Sequence, residues 1–515
     1  MDIKQQQLIA DLKSVKAQMR LGGGENRISA QHKRGKMTAY ERIEHLFDPD
    51  TFVEIGAFVM TRHSNFGENS ERIAGDGVIT GFGKIFGRTV YAAVQDFTVM
   101  GGSVGEMHGQ KISNIMNQAI QNGCPFISLN DSGGARIQEG ISAVGSFAGI
   151  FLQNTRASGV IPQISVIMGH CAGGAVYSPC MSDFIIMVEN TSHMFITGPQ
   201  VIKTATNEDV TMDELGSSDV HAVKSGVCCK VCSDDENALN WVKILLSYLP
   251  NNNLESPPIT QTTEQNPEHI AALNSVVPSS GNKPYNMLEV INGIIDTGSF
   301  LELYENFAPN IIIGLAKLDG QTIGIVANMP KNLAGCLDIN ASIKAARFVR
   351  FCDAFNIPLL NLVDVPGCLP GVEQEHNGII RHGAKLLYAY CEATVPKLTV
   401  ILRKAYGGTY CSTHLGADVV LAWPSAEIAV LGPEGAVSIM FKKEIETAKD
   451  PVLKREECIK TYIDKFANPN MAAELGYIND IIEPAQTREI LIRYLTPLLH
   501  KRVDTPKRKH GNIPL

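Results

Sequence analysis

Residues 160–199, VIPQISVIMGHCAGGAVYSPCMSDFIIMVENTSHMFITGP, and residues 394–433, TVPKLTVILRKAYGGTYCSTHLGADVVLAWPSAEIAVLGP, follow one pattern. Pro162 and Pro396, Gly173 and Gly407, and Gly198 and Gly432 each lie 234 positions apart, so the two blocks align without a gap. Working outward, PFISLNDSGGARIQEG (125–140) stands against PLLNLVDVPGCLPGVEQ (358–374), with Asp131 and Asp364 at an offset of 233. Gly81, Gly87 and Lys111 meet Gly314, Gly320 and Lys344 at that same offset of 233. A repeat of this length is a duplicated domain, since solenoid units run to only about twenty to fifty residues.

Within each copy, short β-rich apolar runs such as FISLN, ISVIM and FIIMV alternate with glycine turns and with helical periodicity such as GQKISNIMNQAIQN. That alternation predicts βα repeats and hence two layered α/β domains. Residues 250–284 are rich in Pro, Asn, Ser and Thr and read as a linker, which sets the domains at 1–257 and 258–515.

The chain has 515 residues, 44% of them hydrophobic and 19% charged, enough for large cores. Its net charge of -8 argues against nucleic acid or an anionic membrane as the main partner, because both require a basic footprint. No apolar run reaches spanning length, and MDIKQQQLIADLKSVKAQMR lacks a targeting core, so a cytoplasmic protein is expected. The twelve cysteines are scattered, and Cys124, Cys180, Cys336, Cys352 and Cys391 fall in apolar segments, which predicts reduced, packed thiols without disulfides. Cys229-x-x-Cys232 has no second ligand pair at zinc spacing, so no metal site is expected.

Gly169, Cys171 and Gly173 fit the spacing of a nucleophile elbow, which would make the protein a Cys-dependent hydrolase if His170, His193 or His221 and an acid stood nearby. The duplication weighs against this, since Ala405 stands where Cys171 stands while the glycine pairs 173/174 and 407/408 persist. A strand ending in two glycines before a helix can aim successive N–H groups at one point, an oxyanion hole that uses no side chain. A tight turn alone would also account for one such pair; its recurrence in register favours the hole.

DSGGARIQEG, GHCAGGAVYSP, MFITGP, SGVCCKV, GCLDIN, ARFVRFCDAFNIPLLNLVDVPG, RKAYGG, AWPSAEIAVLGPEGA and KRKHGNIPL together resemble the family of propionyl-CoA carboxylase β subunits and related carboxyltransferase subunits of biotin-dependent enzymes, from about residue 25 onward. The resemblance implies two duplicated crotonase-like (ClpP/crotonase) domains, a homo-hexamer with shared active sites, and transfer of a carboxyl group from carboxybiotin to propionyl-CoA. Methylmalonyl-CoA decarboxylase and transcarboxylase subunits share these motifs and stay open as alternatives. By motif match, Gly173 and Gly174 would hold the thioester oxygen, and Gly408 and Thr409 the ureido oxygen of biotin. Biotin would ride on a separate carrier protein or domain, with a biotin carboxylase as partner, because this chain has no Met-Lys-Met biotinylation site and no ATP-binding glycine loop.

Gly133, Gly134, Ala135 and Arg136, with Lys344 and Arg347, are the candidates for binding the acyl-CoA, the cations for its phosphates, and the resemblance also implies an acyl-CoA-binding segment over 325–358, taken as a region without roles for single residues. A solvated helix face would explain those cations equally well. Cys411 occupies the position that the family uses to select the acyl chain, commonly Asp in propionyl-CoA enzymes. The stretch between Tyr410 and His414 reads as about three residues short, most of a helical turn at about 1.5 Å per residue.

Overall fold

The computed structural model describes residues 2–62, 72–262, 266–281, 283–408 and 414–515. The chain divides into two compact units, Met1–Glu255 and Ser256–Leu515. The first carries β1 (Val53–Ile55), β2 (Val78–Ile85), β3 (Arg88–Gln95), β4 (Phe126–Ser132), β5 (Gln163–Ala172), β6 (Phe184–Val188), β7 (His193–Phe195) and β8 (Lys230–Cys232). These form one sheet in the order β1-β2-β3-β4-β5-β6-β8, with β7 paired to β5.

The second unit carries β9 (Leu301–Leu303), β10 (Ile311–Leu318), β11 (Gln321–Asn328), β12 (Leu359–Val365), β13 (Lys397–Tyr406), β14 (Val419–Ala422), β15 (Glu427–Ala429) and β16 (Asp480–Ile481). Its sheet runs β16-β14-β13-β12-β11-β10-β9, with β15 on β13, so the two topologies match strand for strand along the duplicated region.

Each sheet opens with an antiparallel hairpin and continues in parallel strands. The hairpins turn on Phe86-Gly87 and Asp319-Gly320, with φ of 51° and 75° in the first and 53° and 75° in the second. Two successive positive φ values make the tight turn whose twist suits a hairpin, and they explain why glycine recurs at both places. The parallel strands are joined by helices Glu106–Asn122 and Ile141–Ala157 in the first unit and Ile339–Ala354 and Ile379–Glu392 in the second. Central strands covered on both faces are apolar along their length. β12 is buried at all seven positions and departs from that pattern only at Asn361 and Asp364.

The linker expectation for 250–284 is corrected in part. Residues Pro267–Val276 form a helix, capped by the Asn266 side chain and started by Pro267. Its Leu273 is 2% exposed and belongs to the second unit's core with Val290, Ile291 and Ile294. The sequence hides this helix because only one of its residues is deeply buried, too few to give a 3.6-residue period. The packed-thiol reading also needs correction: Cys352 is buried, but Cys124 and Cys336 are half-buried and Cys180 and Cys391 are exposed. Among the described residues no helix is long and apolar enough to cross a membrane.

Truncating Leu273 to Ala leaves a hole against helix Met287–Ile294 and should cost the second unit about 2–4 kcal/mol. Urea unfolding of the full chain, compared with wild type, measures this; an unshifted transition would mean that the helix is an ornament on the linker.

Candidate active site

The site is built where β5 ends. The strand runs extended through Ala172, Gly173 takes φ +62°, and a single turn, Gly173–Val176, leads into the short helix Tyr177–Met181. β13 ends the same way, with Gly407 at φ +61° after Tyr406. Only glycine adopts this backbone without strain, which fixes the residue type at 173 and 407. The first amides of a helical turn have no acceptor inside it. Gly173 and Gly174 open such a turn and Gly408 follows β13, so their amides are the donors each strand end offers, while Gly407 donates to Ala429 O at 3.0 Å. Both strand ends thus place amides at equivalent positions. At Gly408 a Cβ would meet nothing within 4 Å among the described residues. Thr409 and Cys411 lie outside the described residues.

The loop after β4 closes one side of the first hole. Gly134, at φ +99°, lies so near the strand end that a Cβ there would stand 2.8 Å from Ala172 O. Gly133 donates to Gly101 O at 3.0 Å, Gly134 O accepts from Val104 N at 2.8 Å, and Ala135 pairs with Val104. Gly133 is exposed and Ala135 half-buried, so this loop lies open beside the glycine pair.

The cation assignments fare differently. Arg136 is 2% exposed; its guanidinium is paired with Asp76 and with Glu139 at 2.8 Å, and donates to Ser103 O at 2.7 Å. Lys344 is 5% exposed, and its ammonium donates to the carbonyls of Tyr304 (2.9 Å), Phe307 (2.7 Å) and Ile311 (2.8 Å). Burial lowers its pKa to about 8. Both heads are spent inside the fold, so neither is offered to a phosphate; they hold loops in place. Lys111, the counterpart of Lys344 in the first unit, does the same with Gly75 O and Val78 O. Arg347 is exposed on helix Ile339–Ala354.

Cys171 is fully buried within the first unit's core, its thiol donating to Ala175 O at 3.3 Å, and burial pushes its pKa upward. A reactive cysteine needs an accessible, stabilised thiolate. The histidines serve elsewhere: His193 Nε2 engages Asp213 at 2.7 Å, His221 engages Met194 O and Ser225, and His170 stacks on His193 at 5.5 Å. The hydrolase alternative is therefore rejected on geometry.

Sequence reasoning missed the charges behind each hole. Asp131, at 0% exposure, receives Lys36 Nζ at 2.6 Å and Arg42 at 3.1 Å, and Arg42 also binds Asp235 at 2.9 Å. Asp364, 1% exposed, receives Arg403 Nε at 3.0 Å. The recurrence of Asp131 and Asp364 in the repeat was the signal; their partners are distant in sequence or absent from one copy, and among them Arg42 alone stands on a helical stripe, with Ala39, Ile43 and Leu46.

A carboxyl transferase domain model matches residues 30–513. The chain belongs to the carboxyl transferase family. It is 55% identical, over 98% of its length and 99% of the relative's, to the carboxyltransferase subunit of propionyl-CoA carboxylase from Haloferax mediterranei. It is 53% identical to the α subunit of methylmalonyl-CoA decarboxylase from Veillonella parvula, over 97% of both chains. The crystal structure of the transcarboxylase 12S hexamer with methylmalonyl-coenzyme A and methylmalonic acid bound superposes with a TM-score of 0.95 at 51% identity, covering 98% of each chain. The fold is the crotonase-like one, and the protein is an enzyme that transfers carboxyl groups.

Two substitutions separate the donors from the thiol. Cys171→Ala should leave carboxyl transfer within about threefold of wild type, because Ala405 fills the same position in the second unit. Gly173→Ala forces a left-handed alanine, at a cost of about 1–2 kcal/mol, or swings the amide away, and kcat should fall tenfold or more. Steady-state assays on both variants decide between them.

Proposed function

We propose that this chain is the carboxyltransferase subunit of a biotin-dependent acyl-CoA carboxylase, moving a carboxyl group from carboxybiotin to propionyl-CoA to give methylmalonyl-CoA. The observation that carries the reading is the pair of equivalent glycine junctions, 173/174 and 407/408, each ending a strand on a left-handed glycine with the amides of a turn just beyond it. Full-length identity of 55% to a propionyl-CoA carboxylase carboxyltransferase subunit supports the substrate.

In this reading the amides of Gly173 and Gly174 receive the thioester oxygen and stabilise the negative charge it gains when the α-proton leaves. Two such donors contribute most where charge develops, at about 3 kcal/mol each. The Gly133–Ala135 loop, strapped to residues 101–104, orients the acyl-CoA beside them. Gly408 and Thr409 receive the ureido oxygen of biotin. When bound, the cofactor supplies both the carboxyl group and the base that takes the α-proton. The chain orients the two partners and stabilises charge at both oxygens. Arg347 is the remaining candidate for a CoA phosphate.

We further propose a homo-hexamer, as the 12S relative forms, working with a biotin carboxylase and a biotin carrier. The 53% identity to a decarboxylase α subunit favours a second reading, the same transfer run from methylmalonyl-CoA to biotin.

The purified chain, given a carboxylated biotin carrier and propionyl-CoA, should form methylmalonyl-CoA; failure to exchange a carboxyl group in either direction would refute both readings. Acyl choice is the finer test. With Cys411 at the selecting position, kcat/KM for acetyl-, propionyl- and butyryl-CoA should differ less than in the Cys411→Asp variant, and a strong propionyl preference untouched by that substitution would contradict this.

A further inference from the structure

We infer that Lys36 is a positioning residue for the first glycine pair, an N-terminal lysine that replaces an arginine the second unit carries on its own strand. The inference rests on the reading of Gly173 and Gly174 as donors.

Parallel pairing slips at the same place in both units. In the first, Asn130 pairs with Ile167 but Ser132 pairs with Cys171; in the second, Val363 pairs with Ile401 but Val365 pairs with Ala405. The extra residues bulge out of β5 and β13, and Asp131 and Asp364 stand opposite the bulges. In the second unit the bulge contains Arg403. Its Nε binds Asp364 Oδ2 at 3.0 Å, its NH1 donates to Ser280 O at 3.2 Å and Lys283 O at 2.9 Å, and the bulged amide of Lys404 donates to Asp364 Oδ1 at 3.1 Å.

In the first unit the matching position is Gly169. A Cβ there would lie 2.0 Å from Asp131 Oδ1 and 2.4 Å from Lys36 Nζ. The ammonium of Lys36 and the carboxylate of Asp131 together fill the volume that a side chain at 169 would need, whereas in the second unit Asp364 makes room for Arg403 and binds its Nε. Lys36 arrives from the link between helices Glu25–Lys33 and Ala39–Leu46, is 6% exposed, and also lies over the Phe97 ring at 5.0 Å. With Arg42 and Asp235 the cluster holds two cations and two carboxylates, so it is neutral only while Lys36 is present.

Asp131 leads directly to the hole. Its carbonyl would be 2.0 Å from a Cβ on Gly102, and the residues after it, Ser132–Gly134, end against Ala172 O. A carboxylate left with a buried excess charge must move or take up a proton, and either shifts that contact. Lys36 touches no substrate; it acts through Asp131.

The test uses four full-length proteins: wild type, Lys36→Met, Gly169→Arg, and the double variant. Lys36→Met should lower kcat tenfold or more, with KM for acyl-CoA within about threefold, as expected when only transition-state stabilisation is lost. Gly169→Arg alone should be similarly poor, because the arginine and Lys36 contend for one space. The double variant should return to within about fivefold of wild type, so that one substitution changes sign between backgrounds. Amide exchange over residues 128–134 and 169–176 should be faster in both single variants and restored in the double. A double variant as impaired as Lys36→Met overturns the proposal, as does a Lys36→Met protein of lowered melting temperature but wild-type kcat per folded molecule. Should Lys36→Met not fold, recovery of folding and turnover in the double variant supports the proposal and its absence overturns it. If the wild-type chain transfers no carboxyl group, the proposed function fails, and the exchange pattern alone decides the role of Lys36.

Discussion

Parallel strands that must end in a donor site face a geometric conflict, and here a two-residue slip between β4 and β5, and between β12 and β13, resolves it. Regular pairing would carry β5 straight on and keep its last amides in the ladder. The bulge takes up extra chain, increases the local twist and turns the strand end away from its neighbour. The strand end then meets a glycine with positive φ, where the ladder pairing of β5 and β13 stops. The β4 loop, the short helix after Gly173 and the bridge to residues 101–104 all take their positions from that strand end.

The bulge brings an electrostatic constraint with it. Asp131 and Asp364 sit at 0% and 1% exposure, where an unpaired carboxylate would be very costly. Breaking such a buried pair by removing one partner costs about 3–5 kcal/mol, even where the intact pair adds little net stability. The two units satisfy the requirement differently, one with Arg403 from within the bulge and the other with Lys36 and Arg42 from the N-terminal segment. Backbone conformation has been kept between the copies, with φ of 62° and 61° at Gly173 and Gly407. The side chains that support it have been exchanged. The N-terminal segment of the first unit is thereby tied into its catalytic half by buried charge.

Much of this was legible because duplication acts as an internal control. The glycines at hairpin tips and strand ends, 87 with 320 and 173 with 407, recur because their backbone angles exclude other residues, and the sequence shows such constraints directly. Cations were harder to read. A lysine or arginine looks the same in sequence whether its head meets solvent or carbonyls. Yet Ala341, Lys344, Ala345, Phe348 and Cys352 follow the i, i+3, i+4 spacing of a buried helix face, and all five are buried. That stripe was a usable sign that Lys344 points inward while Arg347, off the stripe, points out. Arg42 carries the same sign, because Ala39, Arg42, Ile43 and Leu46 form a buried i, i+3, i+4, i+7 stripe, whereas Lys36 lies on the link before that helix, where no period applies, and its partner Asp131 is far away in sequence.

The elbow-like spacing around Cys171 shows why motif and geometry must be separated. In a nucleophile elbow the reactive residue itself occupies the strained strand-to-helix turn, and the strain projects its side chain into the cleft. In this protein Cys171 is still within the extended strand, with its side chain in the core, and the left-handed conformation falls two residues later on Gly173. The turn therefore presents N–H groups where an elbow would present an oxygen or sulfur. A site made in this way can stabilise an oxyanion but has no nucleophile or base of its own at that point. In the proposed reading the base comes from the bound partner, and two such glycine junctions, one per unit, suit a reaction in which two separate oxygens carry charge.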